Sequence, residues 1–222
     1  TAAFENLTRT VTMVELDSDV MSVWQTILGG DAEWLANKIV AFSLTPECVQ
    51  SELERLPRST SERAFQTLLR NRVNHGGILA PGSGRLKYGE NGKGISSRWY
   101  PQTLRTRILN IASVAHKIRL VHGDGIAYMR ENADSPGAAF FIDPPYTAAG
   151  KKAGSRLYTH SQLDHDELFR TSQSVAGDFL MTYDNAVGVQ AMAERGRRAG
   201  IGNRVVPAAD LVHVASGGEA GA

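Results

Sequence analysis

The chain has 222 residues, 42% hydrophobic and 21% charged, with a net charge of +1 at neutral pH. That is enough apolar material for one substantial domain or a domain with an inserted lobe. No apolar run reaches the ~20 residues of a membrane helix and there is no signal-peptide pattern, so a cytoplasmic protein with no membrane partner is expected. Cys48 is the single cysteine, which excludes an internal disulfide and a cysteine-built metal site and suits a reducing compartment.

The small net charge conceals a segregation. Residues 1–54 carry 2 basic and 9 acidic side chains (−7), residues 55–119 carry 13 and 2 (+11), and residues 120–222 carry 9 and 12 (−3). A basic block flanked by acidic segments reads either as a surface that meets a polyanion or as a solvated cationic face.

In chain order, Thr1 is not a methionine and Ala2–Leu7 reads as the end of a helix. The β-rich run Val11–Leu16 predicts a strand, and Asp19–Leu28 has helical periodicity. Ser59 and Glu62 form a capping-box pair that should start a helix through Ala64, Leu68 and Leu69. Asn74–Gly94 holds seven glycines and Pro81 and reads as loop. Pro101 suits the first turn of a further helix with Leu104, Ile108 and Ile111 on one face. Strands follow at Ile118–His122, Ala138–Ile142, Phe179–Tyr183 and Arg204–Val206, with a periodic helical stretch at Leu163–Val175, and Ala208–Ala222 is Gly/Ala-rich. Both ends read as truncated or altered.

Short strands separated by helices imply an α/β fold with a parallel sheet, whose ligands bind beyond the carboxyl ends of the strands. The basic block interrupts that pattern, so the expected organisation is a discontinuous core, 1–56 and 112–222, around an inserted lobe, 57–111.

The sharpest chemical signal is Ala139-Phe140-Phe141-Ile142-Asp143-Pro144-Pro145-Tyr146, a strand running into an acid, two prolines and an aromatic ring. Consecutive prolines fix the backbone and remove two N–H donors, leaving carbonyls without internal partners. One carboxylate, exposed carbonyls and a ring suit a flat group bearing NH2. Asp143 and the Pro144 carbonyl would each accept one amino hydrogen while Tyr146 stacks on the ring, a contact worth about 1–3 kcal/mol per base. An ordinary strand-ending turn is the plain alternative.

Asp143-Pro144-Pro145-Tyr146 resembles the catalytic tetrapeptide of amino-methyltransferases acting on DNA, and the surrounding segments resemble the DNA adenine-N6 methyltransferase (Dam-like) family. Val14-Glu15-Leu16-Asp17-Ser18-Asp19-Val20 is similar to the family's acidic motif at the end of its second strand. Gly123-Asp124-Gly125 is similar to a later cofactor motif, and Arg70-Asn71-Arg72-Val73-Asn74-His75-Gly76-Gly77 to a stretch of its target-recognition lobe. The resemblance implies a Rossmann-like S-adenosylmethionine-dependent methyltransferase sheet, incomplete here because the first strand and Gly-rich loop are expected to lie upstream, with an inserted helical and loop target-recognition lobe. It implies catalysis by Asp143, Pro144, Pro145 and Tyr146. S-adenosylmethionine would be bound by Glu15 at the ribose hydroxyls, by Asp124 at the adenine, and by Asp17 and Asp143. Double-stranded DNA would be contacted by Arg70, Asn71, Arg72, Asn74, Arg85, Lys87, Lys93 and Arg98, with no metal involved. A separate N-terminal segment or a cognate restriction enzyme are the further partners it leaves open.

Each secondary motif also has a structural explanation: Asp17, Ser18 or Asp19 as a helix cap, Asp124 as the cap of a helix beginning near Ile126, Asp184-Asn185 as a cap, and Trp99 and Tyr100 as packing residues. Two competing functions stay open, a catalytically inactive DNA-binding remnant or split half, and an RNA or protein amino-methyltransferase.

Overall fold

Parallel strands drawn from distant parts of the sequence set the architecture. The structure, a computed structural model, describes residues 1–89, 92–144, 163–183 and the strand 204–207. It divides into two compact units, Thr1–Asp124 and Gly125–Ala222.

In the first unit β1 (Val11–Glu15) pairs in parallel with β2 (Ile118–His122), Val11 opposite Ile118 and Glu15 opposite His122. Between them run α1 (Ser18–Leu28), α2 (Ala32–Ala41), α3 (Pro46–Glu54), α4 (Thr60–Val73) and α5 (Pro101–Ser113). Local chemistry fixes their starts. The Asp17 carboxylate accepts the amides of Asp19 and Val20 at the head of α1, and Thr45 caps α3 with Pro46 in its first turn. Pro101 opens α5, where Leu104 and Ile108 are buried as their spacing predicts.

The apolar face of α4 carries Ala64, Phe65, Leu69 and Val73, all fully buried. Burying a side chain such as Phe or Leu stabilises by about 1.5–3 kcal/mol, so this face is held against whatever apolar surface lies nearest. That surface is α1 and α2: Ile27, Leu35, Ile39, Phe65, Leu69, Leu104 and Ile108 belong to one cluster. Residues 57–111, expected as an inserted lobe, therefore contribute α4 and α5 to the same core as the preceding helices. Phe42 meets Phe65 edge-on at 5.2 Å and Trp99 at 6.0 Å, which makes Trp99 a packing residue, whereas Tyr100 is exposed.

The junction of α3 and α4 departs from the expected capping box. Ser59 Oγ accepts the Glu62 amide at 3.1 Å, but the Glu62 carboxylate does not return to Ser59. It accepts instead from the Arg58 amide at 2.7 Å and the Arg55 guanidinium at 2.8 Å. Arg55 also reaches Glu52 at 2.9 Å, and Gln66 donates to the Glu52 and Arg55 carbonyls. A charged neighbour offers Glu62 a stronger bond than the backbone amide does.

In the second unit β3 (Ala139–Ile142), β4 (Asp178–Tyr183) and β5 (Arg204–Pro207) form a parallel sheet in that order. Its helices are α6 (Gly125–Glu131) and α7 (His165–Ser174), the latter capped by Asp164. Leu168, Phe169 and Met181 are buried together, with Ile126, Ile142, Leu163 and Phe179 packed on them. Strand alternation sends Phe141 to the opposite face, where it is exposed.

The protein is thus mixed α/β with two small parallel sheets, where one continuous sheet was expected; among the described residues no strand joins them. Every strand foreseen in the sequence is present, to within a residue at either end.

Two outcomes are expected of the α3–α4 junction. Replacing Ser59 by Ala removes the cap of α4 and should lower unfolding stability by about 1 kcal/mol in denaturant titration. Hydrogen bonds first from Arg55 and then from the Arg58 amide hold the Glu62 carboxyl below its ordinary value near 4.5. A depressed carboxyl stabilises the fold above its unfolded pKa and loses that contribution as pH falls through the folded one. The stability gap between wild type and Glu62→Gln should therefore be present at neutral pH and close below the ordinary carboxylate range.

Candidate active site

Two sets of candidate residues stand at the carboxyl ends of parallel strands, one in each unit.

In the first unit, Glu15 ends β1 and its carbonyl accepts the Gly123 amide at 3.0 Å, so Glu15 and the Gly123-Asp124 pair lie side by side beyond the strand ends. One carboxylate oxygen of Glu15 accepts the Asp17 amide at 2.8 Å, which fixes the half-buried acid in a single pose. Asp124 is exposed and immediately precedes α6, the place of a helix cap. Asp17 is the cap of α1, its Oδ1 accepting the Asp19 and Val20 amides. An acid held at a strand end fits a diol, whose two hydroxyls it can accept, and a second polar group beside it fits an adjoining heterocycle.

A cleft of about 500 Å³ opens nearby between the start of α1, the turn at Pro57–Thr60 and His122. Its lining includes Arg58, Arg63 and several hydroxyls but neither Glu15 nor Asp124, so it is distinct from the strand-end pair.

In the second unit β3, with Phe140 and Ile142 half-buried and Ala139 and Phe141 exposed, leads into Asp143 and the buried Pro144. The register that sets Ile142 opposite Met181 brings Thr182 next to Asp143. The Thr182 hydroxyl donates to Asp143 Oδ1 at 2.5 Å. Asp143 is exposed while Thr182 is buried. A surface carboxylate oriented from below by a packed neighbour is set to meet a ligand in one geometry. Pro145 and Tyr146, and likewise Asp184 and Asn185, lie outside the described residues. Thr182 was not singled out in the sequence, where a lone threonine in a strand carries no signal beyond β-propensity.

The basic segment sorts its residues into distinct tasks. Arg70 pairs with Asp19 at 3.1 Å. Asn71 donates to the Gly77 carbonyl at 2.7 Å, and buried Asn74 donates to the Ile78 carbonyl at 2.8 Å. Asn74 also bridges to Arg85. Arg70, Asn71 and Asn74, expected at the DNA surface, thus each have a partner within the chain. Lys87 and Lys93 are exposed, as is Tyr88 between them in sequence. Arg72 is pushed below the ordinary guanidinium value by burial and by the charges of Arg98 and Arg107.

Among the described residues no group of three or more His, Cys, Asp or Glu is arranged to hold a metal, and no helix is long and apolar enough to cross a membrane. Neither the protein-family models nor the curated proteins contain a match to the chain.

The bond from Asn74 to Ile78 has a direct test. Truncating Asn74 to Ala removes a bond from a buried amide to a part-buried carbonyl, which should cost about 1 kcal/mol of stability and speed amide hydrogen exchange across residues 75–86.

Proposed function

We propose that this chain is an S-adenosylmethionine-dependent DNA methyltransferase acting on the N6 amine of adenine. The observation that carries it is Asp143 at the exposed carboxyl end of a parallel strand, followed by Pro144 and steered by the buried Thr182 hydroxyl. The acid-and-proline corner that resembles the amino-methyltransferase tetrapeptide thus sits where an α/β sheet offers its ligand site.

The residues present fit the cofactor at two places: Glu15, held by the Asp17 amide, suits the ribose diol, and Gly123-Asp124 beside it suits the adenine. Bound S-adenosylmethionine supplies an electrophilic methyl group on a sulfonium. The chain's own residues act on the acceptor. An adenine amine is a weak nucleophile because its lone pair is delocalised into the ring, and within a duplex it is out of reach until the base is flipped, at a cost of a few kcal/mol. Asp143 and the Pro144 carbonyl accept the two amino hydrogens of the flipped base, drawing electron density onto nitrogen and fixing its direction; Tyr146 stacks on the ring. Positioning and electrostatics then supply the acceleration. Thr182 holds the Asp143 carboxylate in the required orientation, and the proton released from nitrogen passes to water. The exposed cations Lys87 and Lys93 face the DNA backbone and help offset the flipping cost.

The assay is transfer of labelled methyl to mixed-sequence duplex DNA. Asp143→Ala should lower kcat at least ~100-fold, as loss of a preorganised group at the reacting centre does, with DNA affinity changed less than about twofold. Full turnover in that variant would refute the assigned role. Thr182→Val should lower kcat about tenfold with KM for DNA unmoved, and Thr182→Ser should restore it. Equal losses in Val and Ser would mean that packing, and not the hydroxyl, is what matters. Failure of the wild-type chain to methylate while it still binds DNA would favour the inactive DNA-binding form.

A further inference from the structure

The cleft of about 500 Å³ in the first unit is lined by Arg58 and Arg63 around the start of α4, by Ser18 and Met21 of α1, and by His122 at the end of β2. A volume of that order holds a whole small molecule and not just a single ion. The described lining carries two guanidiniums and no carboxylate. Low-dielectric walls around one sign of charge concentrate the field inside a cleft, so the ligand it favours is an anion.

Bonds within the chain fix these groups and still leave them able to donate. The Arg58 amide donates to Glu62 at 2.7 Å, which pins its backbone while the side chain stands exposed on the cleft wall. Arg63 meets the Asp19 carboxylate only at 4.0 Å, and Asp19 forms a shorter pair with Arg70 at 3.1 Å through its other oxygen. An exposed pair at that distance holds a guanidinium weakly, so Arg63 can turn to a ligand. Ser59 accepts the Glu62 amide on Oγ and the Arg63 amide on its carbonyl, which closes the start of α4 and leaves the Ser59 hydroxyl hydrogen to donate. His122 Nε2 lies 3.2 Å from the Leu16 carbonyl, which only accepts, so this nitrogen carries a hydrogen. Ser18 Oγ, 3.5 Å from the same nitrogen, can then only accept from it and keeps its own hydrogen for a ligand.

We propose that this cleft binds a nucleotide-sized phosphate monoester, held by Arg58, Arg63 and the hydroxyls of Ser18, Ser59 and Thr60. Near neutral pH such a group carries about −1.5 to −2 charge and three strongly accepting oxygens, which match a donor-rich wall. Guanidinium forks fit two of those oxygens at a time. A carboxylate, with one charge and two oxygens, would leave more of these donors unused. Met21 and Pro57 supply apolar wall for the organic part of the ester. Glu15 and Asp124 take no part, so the cleft binds its ligand whether or not the chain is a methyltransferase.

The test is calorimetric titration of the full chain with thymidine monophosphate and with thymidine. A pyrimidine nucleotide keeps the measurement clear of any adenosine site. The proteins are wild type, Arg58→Gln, Arg63→Gln and, as a control, Arg9→Gln, which precedes the opposite end of β1. All three arginines are exposed, so the fold should persist, which circular dichroism checks. Thymidine monophosphate should bind the wild type and thymidine should not. Arg58→Gln and Arg63→Gln should each weaken the nucleotide about tenfold, the loss of one charge-assisted hydrogen bond, while Arg9→Gln leaves it unchanged. Absence of nucleotide binding, equal affinity for thymidine, or equal losses in the control would each overturn the site. If duplex DNA displaces the nucleotide and both cleft variants lose DNA affinity as strongly, the cleft belongs to a DNA surface and the small-molecule assignment falls. None of these outcomes bears on methyl transfer at Asp143, which its own assay decides.

Discussion

Everything in this protein's chemistry depends on parallel pairing. A parallel strand brings the ends of segments far apart in sequence to one edge, and leaves the last residues of each strand outside the ladder, where side chains are not consumed by packing. Glu15 and Gly123 are more than a hundred residues apart, yet the β1–β2 register joins them through a single backbone hydrogen bond. The β3–β4 register does the same for Asp143 and Thr182. In both units a carboxylate is fixed by a neighbouring donor, an amide for Glu15 and a hydroxyl for Asp143. Preorganisation of this kind lowers the entropy that binding must otherwise overcome.

The cationic segment shows the same economy in a different form. Its charges are not one undifferentiated patch. Arg55 ties α3 to α4 through Glu52 and Glu62, and Arg70 ties α4 to α1 through Asp19. These pairs are partly exposed, so each contributes little to stability and mainly fixes geometry. A net charge of +11 over residues 55–119 therefore overstates the charge left outside such pairs.

How much of this was legible in the sequence follows from what each residue depends on. Strand and helix positions were, because hydrophobic periodicity and caps are local: Ser59, Pro101 and the run Ile118–His122 act through neighbours a few residues away. The acid-proline corner was legible for the same reason, since its stiffness is written in consecutive residues. The extent of the cores was not. Ala64, Phe65 and Leu69 announce a helix with an apolar face, but nothing in their spacing says that α1 and α2 supply the other side. Thr182 was invisible because its role exists only through a partner 39 residues away.

Residues of the Arg/Asn/Gly stretch illustrate why a motif's members divide on folding. Asparagine amides are as good at closing a turn as at reading a base, and a loop rich in glycine has no other means of holding its shape. Asn71 and Asn74 therefore go to the Gly77 and Ile78 carbonyls, and their own carbonyls face Arg98. The loop they build is what lets a guanidinium approach the glycine at position 77 so closely. The polar groups of this stretch thus position Arg98 through bonds made within the chain.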